Sequence, residues 1–416
     1  MRIIVSSNTR ALRRLVDRGQ ATDATVERRV ARIVDTVRRR GDPALRDYAR
    51  RFDKLTDPVE VSSEDIRRGA RETPPAVRSA IKEAARHIRR IAARQVPKAW
   101  RTSVVPGVMV EQHVTPLARV GCYVPGGRHP LPSSLLMTAI PARVAGVREV
   151  IVACPRPDPT VYAAAIEAGV SRLFRIGGAH TIAAMAYGTA TVPKVDKIVG
   201  PGSAYVAAAK AKVSTDCPID FYAGPTEIVI VTRAGDTRWI AADLIAQAEH
   251  DPDARAILLT PSARLARAVV AAVETQLSVH AAARPSITRH GVAVVTRDLD
   301  QAVELANRIA PEHAVCDTEV VARALTQAGT VLVGPYSAQA AGDYATGSNH
   351  VLPTNGAARF RGGLSAADFV RVHSVQRLTS RGLRRLAPTI ISLANAEGLV
   401  AHAASVAVRT KKRRTT

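Results

Sequence analysis

The stretch LIAQAEHDPD, residues 244–253, carries the first side chains whose types and spacing could do chemistry. Apolar spacing and the Ala, Leu and Ile content from Thr237 to Ala248 predict a helix. Asp251-Pro252 stops it, because the residue before a proline is pushed out of the α region. Gln247 and His250 then share one face of the last turn and can converge on one point. An amide oxygen and an imidazole nitrogen offered together at a helix end suit a divalent cation. Taken alone, a QxxH pair more often marks a solvated, frayed helix end, so its company decides. GDYATGSNHVLPT, residues 342–354, places Asp343 in a turn-rich loop, and NAEGLVAH, residues 395–402, sets Glu397 and His402 five apart in a C-terminal helix. Gln247, His250, Asp343 and His402 together offer two imidazoles, one carboxylate and one amide. With no thiolate, that set describes a catalytic zinc site with open positions rather than a structural one. PEHAV, residues 311–315, puts Glu312 beside His313. In a strand their side chains would point apart and could not share a metal. They could still act as two separate acid/base groups on the flanks of a substrate, the histidine titrating near neutrality.

The elements that must position these groups follow from periodicity. Helical spacing runs over 26–52 with a break at Gly41-Asp42-Pro43, then 62–71 behind a Ser62-Ser63-Glu64-Asp65 capping-type opening, then 75–95. Residues 104–114 alternate like a paired ribbon, and 116–124 lead into the turn-rich YVPGGRHPLPSS. Strands at 149–154, 173–176 and 197–199 alternate with Ala-rich helices at 161–168, 179–187 and 205–213, with glycine turns at Gly177-Gly178 and Gly200-Pro201-Gly202. Further strands at 227–232, 257–260, 292–295 and 331–333 alternate with helices near 238–249, 262–278, 298–309 and 319–328. Such alternation predicts an α/β fold of two Rossmann-like parallel or mixed-sheet units, with small helical terminal segments. Ligands on such sheets bind beyond the carboxyl ends of the strands. The expected division is a leading segment 1–18, a first α/β domain of 19–122 and 228–364, an inserted one of 123–227, and a C-terminal segment of 365–416. In the last, helices are expected at 366–371 and from 382 to about 408, and it is too short for its own core.

Composition narrows the partners. Against 36 Asp+Glu the chain carries 59 Lys+Arg, a net charge of +23. Much of the excess is Arg on helix faces (Arg38-Arg39-Arg40, Arg67-Arg68, Arg89-Arg90), interleaved with acids, plus a Lys411–Arg414 tail. That reads as a solvated surface and not a nucleic-acid stripe, and neither stacked aromatics nor finger spacings accompany it. Cys122, Cys154, Cys217 and Cys316 are scattered through apolar runs and spell neither a disulfide framework nor a thiolate metal site. A cysteine-nucleophile aldehyde dehydrogenase is disfavoured for the same reason. No leader or membrane-span pattern is present, so a cytoplasmic protein is expected. No G-x-G-x-x-G follows a strand; Gly200-Pro201-Gly202-Ser203-Ala204-Tyr205 lacks the third glycine, so a bound dinucleotide would use another loop arrangement.

In order, VPGGRHPLPSSLLM, GPGSAYVAAAK, AGPTEIVIV, LIAQAEHDPDA, APEHAV, GDYATGSNHVLPT, GGLSAADF and AEGLVAH resemble the signature segments of the histidinol dehydrogenases, over roughly residues 20–408. The resemblance implies a zinc enzyme that oxidises L-histidinol through an aldehyde to L-histidine with two NAD in succession, the last step of histidine synthesis. It implies that Gln247, His250 and Asp343 bind zinc in one subunit, and that His402 is donated by the other subunit of a domain-swapped homodimer. The metal would hold the substrate's imidazole and amino nitrogens. His313 would take the alcohol proton, and Glu312 would activate the water that hydrates the aldehyde. Thr226 and Glu397 match substrate contacts, Glu397 again crossing the interface; Tyr123, His180 and Ser203 match positions that touch NAD. The chain departs from the pattern where the family commonly has Gln at His180, Asn at Ser203 and Ser at Thr226. Loss of two neutral hydrogen bonds, each worth about 0.5–1.5 kcal/mol, is expected to weaken NAD binding by roughly one to two decades. The same scaffold could serve another polar alcohol; retention of Glu397 and all four ligand positions favours histidinol.

Overall fold

The structure, a computed structural model, describes residues 1–17, 24–126, 131–222 and 224–411. Part of the turn expected at 123–134 (residues 127–130), residue 18 of the leading segment and the basic tail from 412 onward lie outside the described residues. Two compact units are present: Met1–Gln95 with Leu117–Phe369, and Val96–Pro116 with Val370–Thr416.

In the first unit, six parallel strands run in the order Arg2–Val5, Val292–Val295, Arg255–Thr260, Glu227–Val231, His313–Cys316, Thr330–Val333. The central EIVIV strand is buried throughout, as a strand covered on both faces must be. Its alternation sorts the layers. Ile228 and Ile230 pack with Leu244, Val269 and Ile287 from the helices Thr237–Ala248, Ala263–Gln276 and Arg284–His290. Val229 and Val231 meet Leu15, Leu305 and Ile309 on the other side. Each such side chain contributes roughly 1.5–3 kcal/mol on leaving water. The leading segment is therefore not an appendage: its first residues form the edge strand beside Val292–Val295.

The second sheet of this unit has the order Glu60–Val61, Arg172–Phe174, Glu149–Ala153, Arg119–Tyr123, Lys197–Val199, parallel except for the Glu60–Val61 edge. Val30, Val34 and Val37 of the Ala24–Arg40 helix share its core with Ile182, Ala183 and Val206. The N-terminal helices thus cover this sheet, not the later strands, and position 123 falls at the end of one of its inner strands rather than between domains. An amphipathic stripe records that a helix has a buried face but not which sheet receives it. Ser62 caps the Ser63–Arg71 helix as expected, its Oγ accepting the Asp65 N–H at 3.0 Å. The expected helix over 26–52 is the Ala24–Arg40 helix, then Asp42–Tyr48 with a wide π-type turn, Ala49–Asp53. The Arg-rich faces are paired at Arg38–Asp216, Arg40–Asp47, Arg68–Asp65 and Arg89–Glu167.

The second unit joins Trp100–Val105 and Val108–Pro116 as a ribbon to Val370–Leu378, antiparallel throughout. The helix expected at 366–371 is a single 3₁₀ turn, Ala366–Phe369, after which the chain turns into that strand. The long C-terminal helix is two helices, Ser380–Ala396 and Val400–Thr410, broken where Gly398 takes φ +74°. Among the described residues, no helix is long and apolar enough to cross a membrane.

Candidate active site

Gln247 lies in the last turn of the Thr237–Ala248 helix, which Asp236 caps through the Arg238 N–H, and His250 stands just beyond its end. Gln247 is buried while the His250 side chain is 45% exposed. The His250 Nδ1 is 2.9 Å from the Ala246 carbonyl, which requires the proton on Nδ1 and leaves the Nε2 lone pair free. That Nε2 faces Asp343 Oδ2 at 4.0 Å. Gln247 has its Nε2 committed to Thr226 Oγ1, and its Oε1 is buried with no hydrogen-bond partner among the described residues. An amide oxygen, an imidazole nitrogen and a carboxylate are donor types that suit a divalent cation. Among the described residues no group of three or more His, Cys, Asp and Glu is gathered for a metal.

Asp343 was expected in a loop; it sits instead on the short helix Gln339–Tyr344. Burial alone would raise its carboxyl pKa, but the His313 hydrogen bond and the charges of His313, His350 and His250 outweigh it, and the pKa ends lowered. His313 Nε2 is 3.5 Å from Asp343 Oδ1.

Glu312 and His313 do not diverge. His313 opens the His313–Cys316 strand, so Glu312 lies just outside the pleat and the two side chains meet, Nδ1 to Oε2 at 3.8 Å. Thr226 Oγ1 donates to Glu312 Oε2, and the Glu227 N–H donates to the same oxygen at 3.0 Å. Burial pushes the Glu312 carboxyl above the usual range despite those donors. Burial pulls His313 down, but the Glu312 and Asp343 carboxylates more than offset it and the imidazole is raised. Thr226, Gln247, His250, Glu312, His313 and Asp343 are thus linked in one cluster at the amino ends of the Glu227–Val231 and His313–Cys316 strands. The carboxyl-end expectation does not hold for this sheet.

In the other sheet the glycine turns follow the carboxyl ends of their strands. Tyr123 ends the Arg119–Tyr123 strand, and its hydroxyl accepts the Gly178 N–H at 3.0 Å. Gly200, after Lys197–Val199, has φ +114°, and a Cβ there would lie 2.1 Å from the Tyr123 carbonyl oxygen, so only glycine fits. Lys210 and Asp220, both buried, clamp that turn: Lys210 Nζ donates to the Gly200 carbonyl at 2.9 Å and Asp220 Oδ2 accepts the Gly200 N–H at 2.7 Å. Ser203 is exposed at the start of the Ala204–Val213 helix with its hydroxyl making no cap bond. His180 is buried with Nε2 3.0 Å from Asp53 Oδ2, which also accepts the Gly177 N–H at 3.1 Å. His180 therefore braces the glycine turn and is not displayed on the surface. The two sheets meet through His350, whose Nδ1 is 2.9 Å from the Asp343 carbonyl and Nε2 3.4 Å from Ser134 Oγ.

Glu397 follows the Ser380–Ala396 helix and His402 lies in the first turn of Val400–Thr410; both are exposed, in the second unit. Residues that sequence reasoning passed over include Gln339, Asp53 and the Lys210–Asp220 pair. Only Gln339 carried a signal, its i, i+4 spacing to Asp343. All four cysteines are free and buried, and burial pushes Cys122 and Cys154 up to about 12, Cys217 and Cys316 to about 11. No thiolate nucleophile is available there at neutral pH.

A buried carboxylate–imidazole couple with perturbed pKa values, on a two-sheet α/β scaffold, is an arrangement characteristic of enzymes. Residues 16–410 match the family model described as histidinol dehydrogenase. The chain is 43% identical over 416 residues to the histidinol dehydrogenase of Methanothermobacter thermautotrophicus, covering 97% of each chain. It is 46% identical over 415 residues to that of Syntrophotalea carbinolica, covering 96% of each. The crystal structure of histidinol dehydrogenase from Elizabethkingia anophelis superposes with a TM-score of 0.93 at 32% identity, covering 98% of both chains. The chain belongs to the histidinol dehydrogenase family, a family of oxidoreductases. Membership implies the oxidation of histidinol in histidine biosynthesis.

Proposed function

We propose that the protein is a zinc- and NAD-dependent enzyme that oxidises L-histidinol to L-histidine through histidinal, a four-electron conversion. The observation that carries this reading is the buried, unpartnered Gln247 Oε1, three residues before a His250 whose Nε2 faces Asp343, together with a joined Glu312–His313 couple. Bound zinc would hold the substrate's imidazole and amino nitrogens, and bound NAD would accept hydride. Gln247, His250 and Asp343 supply an amide oxygen, an imidazole nitrogen and a carboxylate for the metal. The Gly177-Gly178 and Gly200-Pro201-Gly202 turns, with Tyr123 and the free Ser203 hydroxyl, offer backbone and side-chain donors for the dinucleotide.

His313 accepts the alcohol proton as hydride departs from the carbinol carbon, giving the aldehyde. Glu312 then takes a proton from a water as its oxygen adds to the aldehyde carbon, while His313 returns its proton to the former carbonyl oxygen, giving the hydrate. His313, neutral again, takes a proton from the hydrate as the second hydride leaves, giving the acid. The Thr226 hydroxyl orients Glu312 and the Gln247 amide at once.

His402 and Glu397 act in this reading from the second subunit of a homodimer. Supporting it, the second unit buries little of its own apolar surface: Leu393, Leu399, Val400 and Val408 are exposed at 59%, 43%, 69% and 65%. Apolar surface of that extent on terminal helices marks an association face. Purified protein given histidinol, NAD and zinc should form two NADH per histidinol consumed. One per histidinol, with aldehyde accumulating, or none at all, overturns the proposal.

A further inference from the structure

Both oxygens of the Asp343 carboxylate are engaged. Oδ1 faces His313 Nε2 at 3.5 Å, and Oδ2 accepts a 2.6 Å hydrogen bond from the side-chain Nε2 of Gln339. Gln339 precedes Asp343 by one turn of the Gln339–Tyr344 helix and is 1% exposed. Its Oε1 is buried with no hydrogen-bond partner among the described residues. Turning the amide over would set two acceptors against each other, so the chemistry of the neighbour fixes its orientation. An interior position filled only for packing would favour a leucine or methionine, which carry no amide oxygen to leave unsatisfied. The amide is retained where it costs stability, and what it does there is hold one carboxylate.

The carboxyl of Asp243, one turn before Gln247 on the Thr237–Ala248 helix, lies near the Gln339 backbone N–H. The helix that bears Gln247 packs against the helix that bears Asp343. From this geometry we infer that Gln339 is a positioning residue for the metal site: its amide fixes the Asp343 carboxylate toward His250 and His313, and Asp243 fixes the turn from which it acts. The inference rests on the zinc reading above. A neutral donor suits the task, since it orients the carboxylate without cancelling the charge that attracts a cation.

The test uses the full-length protein, stripped of metal and titrated with zinc against a chelating dye. Gln339→Leu and Gln339→Met should weaken zinc binding 10–100-fold, the range for loss of a partner that orients a ligand. Loaded with Co²⁺, both variants should show altered visible absorption, because a released carboxylate changes its mode of coordination. The KM for NAD should match wild type, and the urea midpoint of the metal-free protein should match or exceed it. Asp243→Ala should weaken zinc binding in the same direction, and Asp243→Asn, which keeps an acceptor oxygen, should restore it. Wild-type zinc affinity and Co²⁺ spectrum in Gln339→Leu overturn the inference, as does zinc loss accompanied by a lowered metal-free midpoint. If wild type itself binds zinc no better than His250→Ala, the zinc reading falls and the inference with it.

Discussion

Replacing Glu312 by Gln separates the two oxidations. In the folded chain Thr226 and the Glu227 N–H both donate to Oε2 of Glu312, so a glutamine oxygen in that place accepts both and the side chain stays where it was. What disappears is the ability to take a proton. A positioned general base contributes about 10²–10⁴ in rate, equivalent to about 2.7–5.5 kcal/mol of barrier. With histidinal supplied, NADH formation by Glu312→Gln should fall by that factor, while the first turnover from histidinol should change less than about tenfold, because His313 still takes the alcohol proton. Burial holds the Glu312 carboxyl above its ordinary range, so the aldehyde step of wild type should speed up as pH rises through that elevated value and the base ionises. The variant should lack this limb. Stopped-flow measurement of each half-reaction against pH reads both effects. Equal losses in the two half-reactions, or a retained limb in the variant, would refute the role given to Glu312.

His250→Ala or Asp343→Ala should lose zinc and activity together, read by metal analysis beside NADH formation; full activity in a metal-free variant would end the metal proposal. Lys210→Met leaves Asp220 buried without its cation and should cost about 3–5 kcal/mol in urea melts; a loss under about 1 kcal/mol would show the pair to be dispensable. Ser203→Asn lengthens a free polar group at the start of the Ala204–Val213 helix and should lower the KM for NAD, an unchanged or higher value arguing against that contact. Burial raises Asp243 from 3.8 to about 6, so the stability it contributes is fully present below 3.8 and is lost as pH climbs through 6. Metal-free wild type should therefore lose stability relative to Asp243→Asn between those values, by less than about 3 kcal/mol given partial exposure. A pH-independent difference would contradict the assignment.

Much of the alternation was legible from residue order: Lys197–Val199 and Val292–Val295 stand where their apolar runs place them. So was the placement of Gln247 and His250 at a helix end, which a local pattern sets; the meeting of Glu312 and His313 was not, because it depends on where the strand begins. Three features were hidden for identifiable reasons. YVPGGRHPLPSS reads as turn-rich because of its glycines and prolines, and the run after it has no expected element, yet Pro132–Val144 is a buried helix with Pro132 in its first turn and Pro141 inside. VRVHSVQRL is mostly exposed and becomes a strand through its long-range ladder to 108–116, which no local window contains. Asp343 sits among Gly, Asn and Ser, so its helix was masked by turn composition, and Gln339 with it. Sheet membership of the N-terminal helices was out of reach in principle, since both sheets offer apolar faces of the same kind.

His313 is laddered on both sides, opposite Ile228 in one neighbour and Thr330 in the other. Displacing the acid/base couple would mean re-registering an interior strand of six, whereas Gln247, His250 and Asp343 come from helix termini that can be rebuilt one turn at a time. On the proposed reading, substitutions at those helix termini change how a substrate is aimed, while the strand ladder keeps the Glu312–His313 couple in place.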